Sequence, residues 1–497
     1  MERTNHRPDS DADRGIQGWL GRMVKALRYR NYRLFFLGQI ISLCGTWMTN
    51  MATGWLVYRL TGSPLMLGIV TCAGQIPMFV LGPFSGILVD RVNKQRALVL
   101  IQSLSMLQSF ALAIITLSGH ASISGLIILN LLNGIITAFD IPMRQSFVIE
   151  MIENKADLGN AIALNSTMFN AARFVGPAIG ALVIAAYGEG WCFFIDGCSF
   201  LAVIAAFLAM TIRPTGIARP PRGSALSDLL EGWHTVSRPG PIRRIISLLA
   251  LTSLLGTPYA TLVPLFAGSI LKGGPHTLGL LMSSAGAGAL VGAAWLAGRR
   301  SILGLGMVIP LSVAVFGTGV IGFALSRVIW VSMLFLFIGG AGLMIQMASS
   351  NTILQTIVDN DKRGRVMSFY MMAFMGTAPI GSLMAGWISE HLGAPFTLVI
   401  GGMACMGVQP SSFPVSINSV KRSDLSTAAL ASFPNLKWAR KPPVNSPSRL
   451  GIKIDSLRER LPFWHCNVSR DGAIGQSSRH RKPAHRSTVH RWADSVR

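Results

Sequence analysis

Four groups of charged or polar residues stand where they could do chemistry inside a hydrophobic chain. Arg173 lies in the middle of an apolar run, Asn170-Ala171-Ala172-Arg173-Phe174-Val175-Gly176-Pro177, and Asp196 lies in the next run. A charge at the centre of a bilayer helix costs about 2.5–3.5 kcal/mol on insertion scales, so each must face a polar cavity or a partner. For Arg173 two readings are open: it lines a cavity, or it pairs with Asp140 or Asp196 and only holds helices together. Asp196 is a candidate proton carrier. Asp140 and Arg144 flank Pro142, which is expected to close its helix, and they read either as a structural ion pair or as a gate. The stretch Gly82–Arg96 (GPFSGILVDRVNKQR) is too charged to cross a membrane but can join two helices that do. Within it, Asp90 and Arg91 either latch a conformation or anchor a helix end. Uncharged polar residues, Gln39, Asn50, Asn165 and Asn170, recur inside the same apolar runs. They can bond across helices, at about 0.6 kcal/mol each, or line a substrate cavity with Trp47, Phe79 and Met168. No Ser-His-Asp set, metal-ligand spacing or phosphate loop falls in these runs, and four of the nine histidines lie beyond Val408. Neither an enzyme nor a cofactor or metal is expected.

The elements that must position these residues are membrane helices. With 51% hydrophobic and 13% charged residues over 497, the chain carries too few charges to clothe a soluble globule. Its 52 glycines and 23 methionines suit close helix packing in lipid. A spanning helix needs about 20 mostly apolar residues. Eleven runs qualify: 34–58, 65–89, 97–118, 121–141, 161–187, 191–212, 245–270, 277–298, 302–325, 328–349 and 366–389, and a twelfth, begun near Ala394, stops at Val408. Thr61-Gly62-Ser63-Pro64 supplies a glycine stop, a serine cap and a first-turn proline, which makes the first two helices antiparallel neighbours. Pro177, with Gly176 and Gly180, marks a bent, close-packed segment. The six cysteines are scattered without C-x-x-C spacing, which argues against a disulfide framework.

Charge sets the orientation and the boundaries. Arg22, Lys25, Arg28, Arg30 and Arg33 precede the first run, and Arg91, Lys94, Arg96, Arg144, Lys155, Arg299, Arg300, Lys362, Arg363 and Arg365 occupy even-numbered connections. Odd-numbered connections hold only Arg59, Lys272 and Arg327. By the positive-inside rule the N-terminus is cytoplasmic. Residues 1–30 form a polar segment with neither signal nor transit character, 31–212 a first half of six helices, 213–244 an arginine- and proline-rich cytoplasmic linker, and 245–408 a second half. An offset of about 206 residues superposes the helix starts of the two halves, the spacing of a parallel internal repeat. Residues 409–497 carry 16 Lys+Arg against 5 Asp+Glu and no long apolar run, so disorder is expected there. Because the change falls inside an unfinished helix, a frame shift near codon 408 is one explanation, tested by resequencing.

Several short strings, taken together, resemble one branch of the major facilitator superfamily. They are Asn31-Tyr32-Arg33-Leu34-Phe35 with Gly38-Gln39 and Ser42; Leu60-Thr61-Gly62-Ser63; Gly86 to Arg91; Asp140-x-Pro142-x-Arg144-Gln145; Leu158-Gly159-Asn160-Ala161; Arg173-x-x-Gly176-Pro177; and Arg363-Gly364-Arg365-Val366-Met367. They are similar to the enterobactin-exporter-like, or transmembrane secretion effector, group, which is related to macrolide efflux proteins. Gly86, Asp90 and Arg91 fit the loop between helices 2 and 3 of that superfamily, while Asn93, Lys94 and Gln95 depart from it. Gly176-Pro177-x-x-Gly180 resembles part of the helix 5 motif of drug/proton antiporters, with Ala172 and Ala181 where glycines are usual. The resemblance implies an all-α polytopic protein with the major facilitator fold, two six-helix halves and an incomplete twelfth helix. It implies gating by Gly86, Asp90, Arg91, Asp140, Arg144, Gly176 and Pro177, with the start of helix 11 as the neighbour of Asp90. Arg173, Asp196, Gln39, Asn50, Asn165 and Asn170 are the candidates for the cavity or for proton coupling. The expected function is proton-coupled export of a small amphiphilic molecule, such as a drug or siderophore, by a monomer in the bacterial inner membrane. Lipid and protons are the other expected partners, and nucleic acid is not. A lysophospholipid substrate and a transport-incompetent remnant are the alternatives.

Overall fold

A computed structural model describes residues 25–89, 92–211, 232–299, 304–359 and 362–407. Among the described residues twelve bundle helices follow one another. They are α1 (Arg30–Thr61), α2 (Pro64–Val89), α3 (Lys94–Leu117), α4 (Ile123–Met151), α5 (Leu158–Tyr187) and α6 (Glu189–Ala209), then α7 (Pro241–Ile270), α8 (Pro275–Ala297), α9 (Leu305–Leu325), α10 (Ile329–Ile357), α11 (Arg363–Leu392) and α12 (Ala394–Met406). Ten are long and apolar enough to cross a membrane. Of the eleven expected runs, α1 falls short in apolar character because Gln39, Thr46, Thr49, Asn50 and Thr53 interrupt it, although its 32 residues are long enough. The 13 residues of α12 are short for a span. Apolar side chains face outward in stripes at helical spacing, as Leu100, Leu104, Leu107 and Ile114 do on α3, the surface that lipid requires.

The punctuation is local. Gly62 takes a left-handed φ of 62° and returns its N–H to the Tyr58 carbonyl at 2.7 Å, while the Ser63 hydroxyl accepts from the Met66 N–H. Asn93 and Ser122 cap α3 and α4. Gly188 (φ 88°) and Gly393 (φ 85°) make the sharp turns from α5 to α6 and from α11 to α12, close to the repeat offset. Pro142 does not close its helix: α4 runs on to Met151, because neighbouring helices tolerate the lost N–H inside a bundle. Pro177 likewise lies inside α5. Irregularity is concentrated in the second half, where α7 carries π-helical turns at Thr252–Gly256 and Phe266–Ile270 and α11 one at Met372–Gly376. Of the linker, 232–244 is described, with 232–237 helical and Trp233 against Phe369 of α11.

The packing repeats with the sequence. In the first half α1 packs on α5 and α6, α3 on α6, and α2 on α4; in the second, α7 packs on α11 and α12, α9 on α12, and α8 on α10. The halves meet along two seams, α5 with α8 and α2 with α11, which the six-helix offset interchanges. At the basic end, the end of the bundle that carries the N-terminus, a separate apolar cluster around Tyr32, Phe35, Phe147 and Phe207 belongs wholly to the first half.

There the 3-10 turn Lys25–Arg28 is tied to the α4–α5 connection. Lys25 and Arg28 each reach Asp157 at 2.7 Å, the Tyr29 hydroxyl donates to it at 2.7 Å, and the Ala26 N–H donates to the Asn160 side chain at 2.8 Å. Hydrogen bonds from Lys25 and Tyr29 hold the Asp157 carboxyl below its usual range. A carboxyl whose pKa is lower when folded contributes its stability above the unfolded value, about 3.9, and loses it as pH falls through the folded value. We therefore expect protection of the Ala26 amide from hydrogen exchange to persist at neutral pH and to fall only below about pH 4. Asp157→Asn should lower protection at neutral pH and flatten the pH dependence; unchanged protection in that variant counts against the tie.

Candidate functional site

Backbone contact without side chains marks the seam between the halves. Pro177 has no N–H to give the Arg173 carbonyl four residues back, and that carbonyl faces Gly286 of α8, where a Cβ would come within 2.8 Å. The Ser283 hydroxyl donates to the next carbonyl, that of Phe174, at 2.8 Å. A Cβ on Gly279 would meet Ala181 and the Pro177 carbonyl, and one on Gly176 would meet the Cys44 carbonyl and Trp47 of α1. The other seam is built alike: a Cβ on Gly68 of α2 would sit 2.7 Å from the Ser382 carbonyl, and one on Gly386 of α11 would sit 2.8 Å from that of Pro64. At the same end the Glu390 carboxylate accepts from the Ser63 hydroxyl (2.8 Å) and the Leu65 N–H (3.2 Å), an acid from α11 capping the N-terminus of α2. The Tyr58 and Ser269 hydroxyls meet at 2.9 Å between α1 and α7.

Towards the basic end the same faces open. Gly82 lies two heptads after Gly68 on α2, and a Cβ there would meet nothing within 4 Å. On α5 the face carrying Pro177 and Ala181 continues through Ser166, Ala163 and Gly159, all exposed. The halves are thus closed at one end and parted at the other.

Arg173 stands where the seam begins to part. Its guanidinium lies 5.5 Å from the Trp47 ring, and Trp47 meets Phe169 edge-on with centroids 5.7 Å apart. Asn50 is exposed and Asn165 half-buried, whereas Gln39 and Asn170 are buried, the latter donating to its own helix at the Ser166 carbonyl. Met168 lies in the core of the first half, not on a cavity wall, and Phe79 covers Gly376 of α11.

The acids are elsewhere. Asp140 is buried between Arg144, one turn on in α4, and the Gln102 amide of α3, which donates at 2.8 Å. Asp196 is buried among α1, α3 and α6, where the Thr49 and Ser109 hydroxyls donate at 3.0 and 2.9 Å and Gly45 makes room for its carboxylate. Neither pairs with Arg173. Gly86 lies near the end of α2, while Asp90 and Arg91, and with them the expected contact to α11, fall outside the described residues. Ser63 is the helix cap that the sequence signals, whereas nothing in the sequence marks Glu390, Tyr58 or Ser269 as contacts between helices. Each is an ordinary helix-end residue by sequence, and only the cap signal at Ser63 hinted that a helix N-terminus was available there.

The comparisons agree with this architecture. The chain is 26% identical over 376 residues to the staphyloferrin A transporter of Staphylococcus aureus, covering 75% of this chain and 93% of the relative. It is 26% identical over 399 residues to the multidrug efflux pump Tap of Mycolicibacterium fortuitum, covering 76% and 93%. Its fold is similar to the crystal structure of a mutant of the nucleoside transporter NupG, with a TM-score of 0.62 at 12% identity over 78% of this chain and 98% of the other. These relatives are membrane transporters, not enzymes. Residues 23–443 match the family described as transmembrane secretion effector, and the chain belongs to that family of major facilitator transporters.

Proposed function

We propose that this multi-pass membrane protein exports a small amphiphilic molecule, such as a drug or siderophore, by alternating access driven by the proton gradient, as a monomer with its N-terminus in the cytoplasm. The single observation that carries the reading is the asymmetry of the seams: glycine-tight at the end with Gly68, Gly279 and Gly386, open at the end with Gly82 and Gly159. Two rigid halves packed this way can rock about their centre, exposing one cavity to each side in turn. With Lys and Arg inside, the conformation is inward-open. Gly86, Asp90 and Arg91 are then the inner gate, which closes when the outer seam parts. Gly176 and Pro177 form the pivot on α5, and Arg173, Asn50 and Asn165 line the cavity.

Purified protein reconstituted into vesicles tests this reading. An imposed proton gradient should drive accumulation of a labelled macrolide or siderophore, and a protonophore should abolish it. Movement that survives the protonophore refutes proton coupling, movement of lysophospholipid alone refutes the substrate class, and movement of none of these refutes export.

A further inference from the structure

We propose that Arg173, Trp47 and Phe169 form an anion subsite at the centre of the cavity, and that the cargo carries a carboxylate beside a flat apolar group. This rests on the transporter reading above and narrows its substrate class. Arg173 is 15 residues from the start of α5 and 14 from its end, so it lies about 21–23 Å from either end of the helix at 1.5 Å per residue. Among the described residues it has neither a hydrogen-bond nor an ion-pair partner; its one polar contact is the Trp47 ring.

The described acids that could neutralise it are committed to other partners. Asp140 holds Arg144, Glu150 holds Lys94, Asp157 holds Lys25 and Arg28, Glu189 holds Arg59, and Asp196 is satisfied by hydroxyls. Of the remaining described acids, Glu153 and Asp359 lie past helix ends at the basic end, and Glu390 is engaged at α2.

A guanidinium kept at that depth with its N–H fork free is a receptor for a planar two-oxygen anion, because two parallel hydrogen bonds fit a carboxylate. The Trp47 ring, 5.5 Å from the guanidinium carbon, attracts the charge through its π face and takes up no N–H donor in a conventional hydrogen bond. Phe169 is 46% exposed and extends the aromatic wall, offering the cargo an apolar plane beside the charge. Access is continuous: Ile162, Ser166, Phe169 and Arg173 follow at spacings of four, three and four residues, one face of α5, and the first three are exposed. The Arg173 carbonyl meanwhile lies against Gly286 of α8, so the subsite, whose three residues all belong to the first half, borders the seam with the second.

Three probes of one shape, 2-naphthoate, 2-naphthamide and 2-naphthylmethylammonium, test the proposal by calorimetric titration of the purified full-length protein. The anion should bind at least about tenfold more tightly than either of the others. Arg173→Gln should erase that preference, Arg173→Lys should keep a reduced one, and Trp47→Leu should weaken all three probes. Equal binding of the three, no binding of the naphthoate, or an unchanged preference in Arg173→Gln overturns the proposal; monodispersity of each variant on size exclusion guards against misfolding. Because binding is read without transport, an anion preference in a protein that moves nothing across vesicles keeps this inference and removes the export reading. Proton-driven export with no anion preference does the reverse.

Discussion

Gly68→Val should cut transport by about tenfold or more while both halves stay folded. The position has no slack. A Cβ there already lies 2.7 Å from the Ser382 carbonyl and 3.2 Å from the Gly386 Cα, and both obstacles are backbone, which cannot turn aside as a side chain can. Overpacking of this kind costs about 1–3 kcal/mol. Within either half Gly68 is free of such contacts, so the cost falls on the closed outer seam alone and shifts the equilibrium toward the state in which α2 and α11 part. The Leu65 amide, which donates to Glu390 across that seam, reports the shift through faster hydrogen exchange. Gly82→Val opposes close approach at the other end of α2, where space is open, so it should slow Leu65 exchange while also slowing transport. Wild-type transport in Gly68→Val, or exchange moving the same way in both variants, would contradict the rocking of two rigid halves.

What could be read from the sequence was whatever is written locally. The Thr61–Pro64 punctuation reappears as the Gly62 left-handed turn and the Ser63 cap, and the offset of about 206 residues reappears in the paired turns at Gly188 and Gly393. Pro142 misled, because its effect depends on what surrounds the helix, and a neighbour can shield a missing hydrogen bond that water or lipid would expose. The run 34–58 reads as a mostly apolar span, although the polar residues of α1 sit badly with lipid; Gln39, Ser42 and Thr53 are buried against other helices. The seam glycines were visible as a composition but not as contacts. Gly68 and Gly386 are far apart in the chain, and nothing near either names the other. Arg173 fell between these cases. Spacing put it at mid-helix, but its neighbours had to be located before Asp140 and Asp196 could be seen to be occupied.

The pair at Asp140 and Arg144 can be resolved into its two readings. Arg144→Gln leaves a buried carboxylate with only the Gln102 amide, and removing one member of a buried pair costs about 3–5 kcal/mol. Asp140→Asn combined with Arg144→Gln removes both charges, keeps the shapes and leaves hydrogen-bonding groups within reach of Gln102, so it should recover most of that loss. Thermal unfolding in detergent would therefore place the double variant well above Arg144→Gln, and non-additivity is the signature of direct contact. Transport then separates structure from gating. A purely structural pair predicts that the double variant, once stable, moves cargo at about the wild-type rate, because an ion pair inside one helix does not change when two rigid halves rock. A double variant that is stable yet inactive assigns the charges to gating, which requires them to exchange partners in the other state. Arg91 and the basic turn that follows it are the groups within the expected gate that could receive Asp140. Since α4 carries both members of the pair and packs on α2, which leads into that turn, the structural outcome is the one the packing favours.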